Sequence, residues 1–167
     1  VTDAADRAVE LAERDRQVLD EHLRLLDGGA HFLQALPMRD VPPTTGDFAM
    51  ELDVTPSVKN PRGGVQGGLV ATLADIVAGR ALLDGLPAGH LLTTADLSIK
   101  YLASNDIGPV RAEATVIRRG RHLCIVQVDI TDTGSGRLTA IATLSFSVLA
   151  RRGAAVPTTT PEGNPAT

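Results

Sequence analysis

Apolar and polar positions change period several times along this 167-residue chain. Between residues 48 and 54, Phe48, Met50, Leu52 and Val54 alternate with Ala49, Glu51 and Asp53, the period of a strand with one buried face. A glycine-rich loop follows. Residues 66–83, QGGLVATLADIVAGRALL, then predict an apolar helix of about 27 Å at 1.5 Å per residue, with Leu69, Leu73, Ile76 and Leu83 along one side. Four further strands are predicted at Leu92–Leu102, Val110–Arg119, His122–Thr131 and Leu138–Ala150. Breaks at 105–109, 119–121 and 132–136 carry turn chemistry, so the last three strands should run as an antiparallel meander. The sum is an α+β fold: a five-stranded antiparallel sheet beside one long helix. A second copy of the chain is the natural cover for the surface this leaves open.

The flanks differ from this centre. Residues 1–30 place Ala8, Leu11, Ala12, Val18, Leu19, Leu23 and Leu26 at near-helical spacing before Gly28 and Gly29, which predicts an amphipathic N-terminal helix. Residues 151–167 are dominated by Gly, Ala, Pro and Thr and read as a flexible tail. The working domain is therefore expected within 31–150. All of the formal net charge of −4 lies in the leader, which has eight acidic residues and four Arg, against twelve of each sign in the remainder.

Composition removes several function classes. With four aromatic residues (Phe32, Phe48, Tyr101 and Phe146), no Trp and a negative net charge, the chain lacks the stacking platforms and basic field of a nucleic-acid reader. Cys124 is the single cysteine, which excludes an internal disulfide and a cysteine-based zinc site and fits a reducing, cytoplasmic setting. It lies in an apolar strand and reads as an inert core thiol. No histidine pair has ligand spacing, so no metal is expected. The longest apolar stretch, residues 67–86, is interrupted by Asp75, Arg80 and Asp84, which argues against a membrane span. No secretory pattern opens the sequence.

The chemistry concentrates in Asn60-Pro-Arg-Gly-Gly-Val-Gln-Gly-Gly-Leu-Val-Ala-Thr-Leu-Ala-Asp75. Gly63, Gly64, Gly67 and Gly68 permit positive φ and close backbone approach, and a helix start leaves amides that can hold an oxyanion. Asp75 stands among Leu73, Ala74, Ile76 and Val77. Burying a carboxylate there without a partner would cost several kcal/mol or raise its pKa. It lies eight residues beyond Gly67, about 12 Å along the helix axis. If both act on one substrate, the site must combine two subunits.

This segment resembles the signature of the PaaI-like, hotdog-fold acyl-CoA thioesterases: Asn60, Gly63, Gln66-Gly67-Gly68, Ala71-Thr72-Leu73 and Asp75 stand in the family's order. Thr93-Thr94-Ala95-Asp96-Leu97-Ser98-Ile99-Lys100-Tyr101-Leu102 is similar to its second strand, and Ile117-Arg118-Arg119-Gly120-Arg121-His122-Leu123 to its basic hairpin. The resemblance implies a sheet wrapped around a central helix and a homodimer with composite sites, often paired again into a tetramer. It also implies hydrolysis of acyl-CoA thioesters to the free acid and CoA, with no cofactor. By position, Asp75 would be the general base or the nucleophile, and the Gly67 N–H would hold the thioester oxygen. Asn60 would place the carbonyl or the water, and Thr94, across the interface, would hold the attacking water. Gly68 would contact substrate, and Arg118, Arg119 and Arg121 would meet the CoA phosphates. The family's usual His before the two glycines is Gln66 here, which can donate a hydrogen bond but cannot relay a proton near neutral pH.

Two other classes compete with hydrolysis. A hotdog module that holds acyl-CoA without cleaving it, as a sensor or carrier, draws its support from Gln66. A hotdog dehydratase or hydratase is disfavoured because such enzymes use a catalytic His, and none lies between His31 and His90.

Overall fold

The structure, a computed structural model, describes residues 32–87 and 89–150. The predicted N-terminal helix and C-terminal tail lie outside these residues. A 3-10 turn at Phe32–Ala35 leads into strand β1 (Met38–Val41) and strand β2 (Phe48–Leu52). A second 3-10 turn, Pro56–Val58, precedes helix α1 (Gly67–Leu83). Strands β3 (His90–Tyr101), β4 (Val110–Arg119), β5 (Leu123–Asp132) and β6 (Arg137–Ala150) complete the chain. They make one sheet in the order β1-β2-β4-β5-β6-β3, with every pairing antiparallel. This is the expected α+β hotdog arrangement, with the β4-β5-β6 meander in place.

The sheet has six strands rather than five. Met38-Arg-Asp-Val41 is too short and too polar to show alternation, and it is held by charge. Arg39 reaches Glu51 and Asp53 at 2.6 Å each, and Asp40 accepts from Arg80 of α1 at 2.8 Å. Exposed pairs of this kind add little to stability, but they can select a register that apolar patterning leaves open.

The helix also presents a different face from the one predicted. Val70, Leu73, Ala74, Val77, Ala78, Ala81 and Leu82 are buried, whereas Leu69, Ile76 and Leu83 are only partly covered. A helix that is apolar almost all round carries no stripe to orient it, so size decides. Small side chains belong to the core from both layers, Ala74, Ala78 and Ala81 from the helix and Ala112, Ala114, Ala140 and Ala142 from the sheet, which lets helix and sheet approach closely. Leu52, Leu73, Leu82, Ile130 and Leu144 fill the space between, each contributing about 1.5–3 kcal/mol on burial. Cys124 is buried here, 3.7 Å from the Gly120 carbonyl.

On the outer face, Glu113 accepts hydrogen bonds from the N–H groups of Thr44, Thr45 and Gly46 at 2.9, 2.6 and 2.7 Å and pairs with Arg111 at 2.9 Å. Burial alone would push this carboxyl up. The bonds from Thr45, Gly46, Arg111 and Thr44 outweigh burial and hold it at about 2, below its ordinary 4.5. Because the folded value is the lower one, the stabilisation is present above pH 4.5 and is lost as pH falls through about 2. Acid unfolding of Glu113→Gln should accordingly show a shallower pH dependence in this window than the wild type. Superimposable acid titrations would contradict the assignment.

Candidate active site

The start of α1 is built on a stack of loops. Asn60 folds its own turn: its Oδ1 accepts from the Arg62 N–H at 2.8 Å and its N–H donates to the Gly64 carbonyl at 2.7 Å. Gly63 follows with φ +92°, a conformation that glycine adopts without strain. Gly64 lies so close to the 104–106 loop that a Cβ there would collide with Ser104 Oγ. The Val65 N–H donates to the carbonyl of buried Asn105 at 2.9 Å, and Thr139 Oγ1 donates to Asn105 Oδ1 at 2.6 Å. Beneath them, buried Asp132 accepts from the N–H groups of Asp106, Ile107, Gly108 and Ser135. Burial pushes the Asp132 carboxyl up, but these backbone bonds outweigh it and leave it below the usual carboxylate value.

On this platform Gln66 is the N-cap of α1. Its carbonyl accepts from Leu69 and Val70 at 2.9 and 3.1 Å, while its exposed side chain makes no capping bond. Gly67 and Gly68 come before the first N–H that the helical ladder can use, so their amides remain donors for another group. Nothing lies within 4 Å of where a Gly68 Cβ would be. Tyr101, at the end of β3, donates its hydroxyl to the Gly67 carbonyl at 2.6 Å. Burial raises the Tyr101 phenol above its usual value, so it is a protonated donor at neutral pH.

Two turns further along α1, Asp75 is partly buried, neither sealed in the core nor on a fully solvated face. Its Oδ1 accepts from Thr94 Oγ1 at 2.9 Å. Thr94 thus stands beside Asp75 of its own chain. The cause is an irregularity in β3: pairing with β6 shifts register between Thr94 and Asp96. Ala95 is the extra residue of a bulge, so Thr94, opposite Phe146, and Tyr101, opposite Ala140, both face α1. Seven residues apart in an unbroken strand, they would point to opposite faces.

The basic hairpin divides its three arginines. Arg119 donates to the carbonyls of Leu82 and Ala81 at 2.8 and 3.2 Å, closing the C-terminal end of α1, where a cation also complements the helix dipole. Arg118 and Arg121 are exposed. Tyr101, the Ala95 bulge and Asp132 were missed as parts of the site. A phase break from Leu92 to Leu97 and Ile99 was the one available signal for the bulge. Among the described residues, no three His, Cys, Asp or Glu side chains converge to hold a metal, and no helix is long and apolar enough to cross a membrane.

A family model described as the thioesterase superfamily matches residues 63–139. Human acyl-coenzyme A thioesterase 13 is 31% identical over 99 residues, covering 57% of this chain and 68% of that protein. A Bacillus halodurans protein crystallised with CoA is 33% identical with a TM-score of 0.56, covering 60% of this chain and 70% of that one. A thioesterase of Haemophilus influenzae shares the fold at a TM-score of 0.68 and 22% identity, covering 83% of this chain and 94% of its own.

Proposed function

Since the chain belongs to the thioesterase superfamily, we propose that it hydrolyses acyl-CoA thioesters to the free acid and CoA at a site completed by a second copy of itself. The observation that carries this reading is the Thr94–Asp75 pair, set about 12 Å along α1 from the Gly67–Gly68 amides. That separation is too long for one thioester carbonyl to meet both the Gly67–Gly68 amides and Asp75 of the same helix. Two antiparallel copies of α1 would bring the Asp75 of one protomer to the glycine amides of its partner. The long, mostly exposed β3 lies at the sheet edge, where pairing with a second β3 would continue the sheet. A further pairing of dimers and a cytoplasmic setting belong to the same proposal.

In this site the Gly67 N–H, with Gly68 beside it, binds the thioester oxygen, and Asn60 places the carbonyl. Thr94 and Asp75 hold a water; Asp75 takes its proton as the water oxygen attacks the carbonyl carbon. The tetrahedral oxyanion stays on the glycine amides until the C–S bond breaks, and the proton leaves with the CoA thiolate. Gln66, free at the helix start, donates to the substrate without taking part in proton transfer. No cofactor is required. The test is release of free thiol from an acyl-CoA panel by the purified protein, and no release from any member would overturn the reading.

CoA phosphates are assigned to Arg118 and Arg121. Arg119 is already committed to the end of α1. Replacing Arg118 and Arg121 together by Ser should raise KM about tenfold or more, with kcat little changed. Arg119→Ser should instead lower stability by about 1 kcal/mol through the lost cap. An unchanged KM in the double variant would remove both arginines from the CoA site.

A further inference from the structure

We infer that Tyr101 is a positioning residue for the oxyanion site, fixing the Gly67–Gly68 peptide through its hydroxyl. The inference deepens the hydrolytic reading above and rests on it. Two consecutive glycines are the most freely rotating start a helix can have, and each is about 1 kcal/mol poorer than Ala as a helix former. Oxyanion donors, by contrast, work only when their direction is set before charge develops. Something must remove the freedom that the glycines introduce.

The chain fixes the residues on either side. Gln66 is held by its N–H on the Val58 carbonyl at 2.9 Å, and its own carbonyl takes the first helical bonds. Gly67 itself is held from outside by Tyr101: the hydroxyl meets its carbonyl at 2.6 Å, and the hydroxyl oxygen lies 3.4 Å from where a Gly67 Cβ would be. This carbonyl shares its peptide plane with the Gly68 N–H. Anchoring one end of that plane sets the direction of the other, and a hydrogen-bonded carbonyl makes its peptide N–H a stronger donor.

Tyr101 is also an unexpected residue to find here on structural grounds alone. It is one of four aromatics in the chain, and at 51% exposure it contributes little to the core. Its ring turns to α1 only because the Ala95 bulge changes the phase of β3. The strand thus holds the helix at its start and at its middle, Tyr101 on Gly67 and Thr94 on Asp75. Where the site is shared between protomers, the two contacts of one chain serve two different sites.

Tyr101→Phe keeps the ring and removes the hydroxyl alone. With acyl-CoA in steady state, kcat should fall about tenfold while KM stays within about twofold, since a donor that strengthens its bond in the transition state acts on kcat. In parallel, the backbone N–H order parameter of Gly68, whose amide shares the anchored peptide, should fall in the variant from the rigid range of about 0.85 toward the flexible range below about 0.6, with Val77 and Ala78 in mid-helix unchanged. An order parameter at Gly68 as high as in the wild type overturns the inference whatever the kinetics. A lowered order parameter with an unaltered kcat also overturns it, because the peptide would then be held for no catalytic purpose. If neither the wild type nor the variant releases thiol, the hydrolytic reading fails and the oxyanion role falls with it. That outcome is distinguished from the first two by the wild-type measurement.

Discussion

Asp75→Asn is expected to lower kcat by about 10²–10⁴-fold, the range that a positioned general base contributes, with little change in the unfolding midpoint. The amide is nearly isosteric and can still accept from Thr94 Oγ1, so the helix and β3 remain joined. It cannot take a proton from water. Thr94→Val should produce a smaller loss, on the order of tenfold, because it leaves the base in place and removes only the group that orients it. The order of the two effects matters as much as their size. Asp75→Asn with wild-type turnover, or Thr94→Val more damaging than Asp75→Asn, would show that the carboxylate is not the reacting group.

The largest expected effect on stability comes from a residue far from any reacting atom. Asp132 is 1% exposed and accepts four backbone N–H groups between 2.9 and 3.1 Å. Asp132→Ala would leave those donors buried without acceptors, at a cost of about 3–5 kcal/mol. For a domain whose whole stability is about 5–15 kcal/mol, this is a large fraction. The 104–108 loop that Asp132 holds is also the seat of Gly64 and Val65, so the N-terminus of α1 should loosen as well. The carboxyl is held below its ordinary value, so its contribution is present above the unfolded pKa of 3.8 and disappears as pH drops through the folded one. Urea unfolding near neutral pH measures the loss directly. A destabilisation under about 1 kcal/mol would mean that water or a rearranged loop satisfies these amides instead.

Which of these features the sequence discloses follows from their physics. Alternation at Val110, Ala112 and Ala114, at Val126, Val128 and Ile130, and at Ala140, Ala142, Leu144 and Phe146 is a direct image of a sheet buried on one face. The meander was therefore plain. Helix α1 was equally plain in length but not in rotation, because Leu69, Ile76 and Leu83 are no less apolar than the residues that face the core. The register of strand β1 is marked by ion pairs between positions 12 and 14 residues apart, which no local pattern encodes.

Within the site, glycine and aspartate chemistry made Gly67, Gly68 and Asp75 conspicuous. Their supports were hidden. Asp132 sits in Asp-Thr-Gly-Ser-Gly, which reads as an ordinary turn, and its real task depends on a loop 24 to 26 residues away. Arg119 shares a hairpin with two exposed arginines, and only its contact with Leu82 and Ala81 separates it from them. The pairing of Thr94 with Asp75 depends on one bulged residue, Ala95, and bulges leave composition unchanged.

The central claim is a site divided between two chains, and subunit complementation tests it most directly. Gly67→Pro removes one N–H at the first helical residue, where proline is accommodated, and Gln66 at φ −55°, ψ 128° already has the backbone that precedes a proline. Asp75→Asn removes the base. Each variant alone should be nearly inactive. When the two are unfolded together and refolded as an equimolar mixture, half of the dimers carry one chain of each kind, and one of their two sites regains both Asp75 and the Gly67 amide. About a quarter of wild-type thiol release from an acyl-CoA substrate should be recovered. Heterodimers that form and remain as inactive as either variant would show that Gly67 and Asp75 serve the same chain's site, contradicting it.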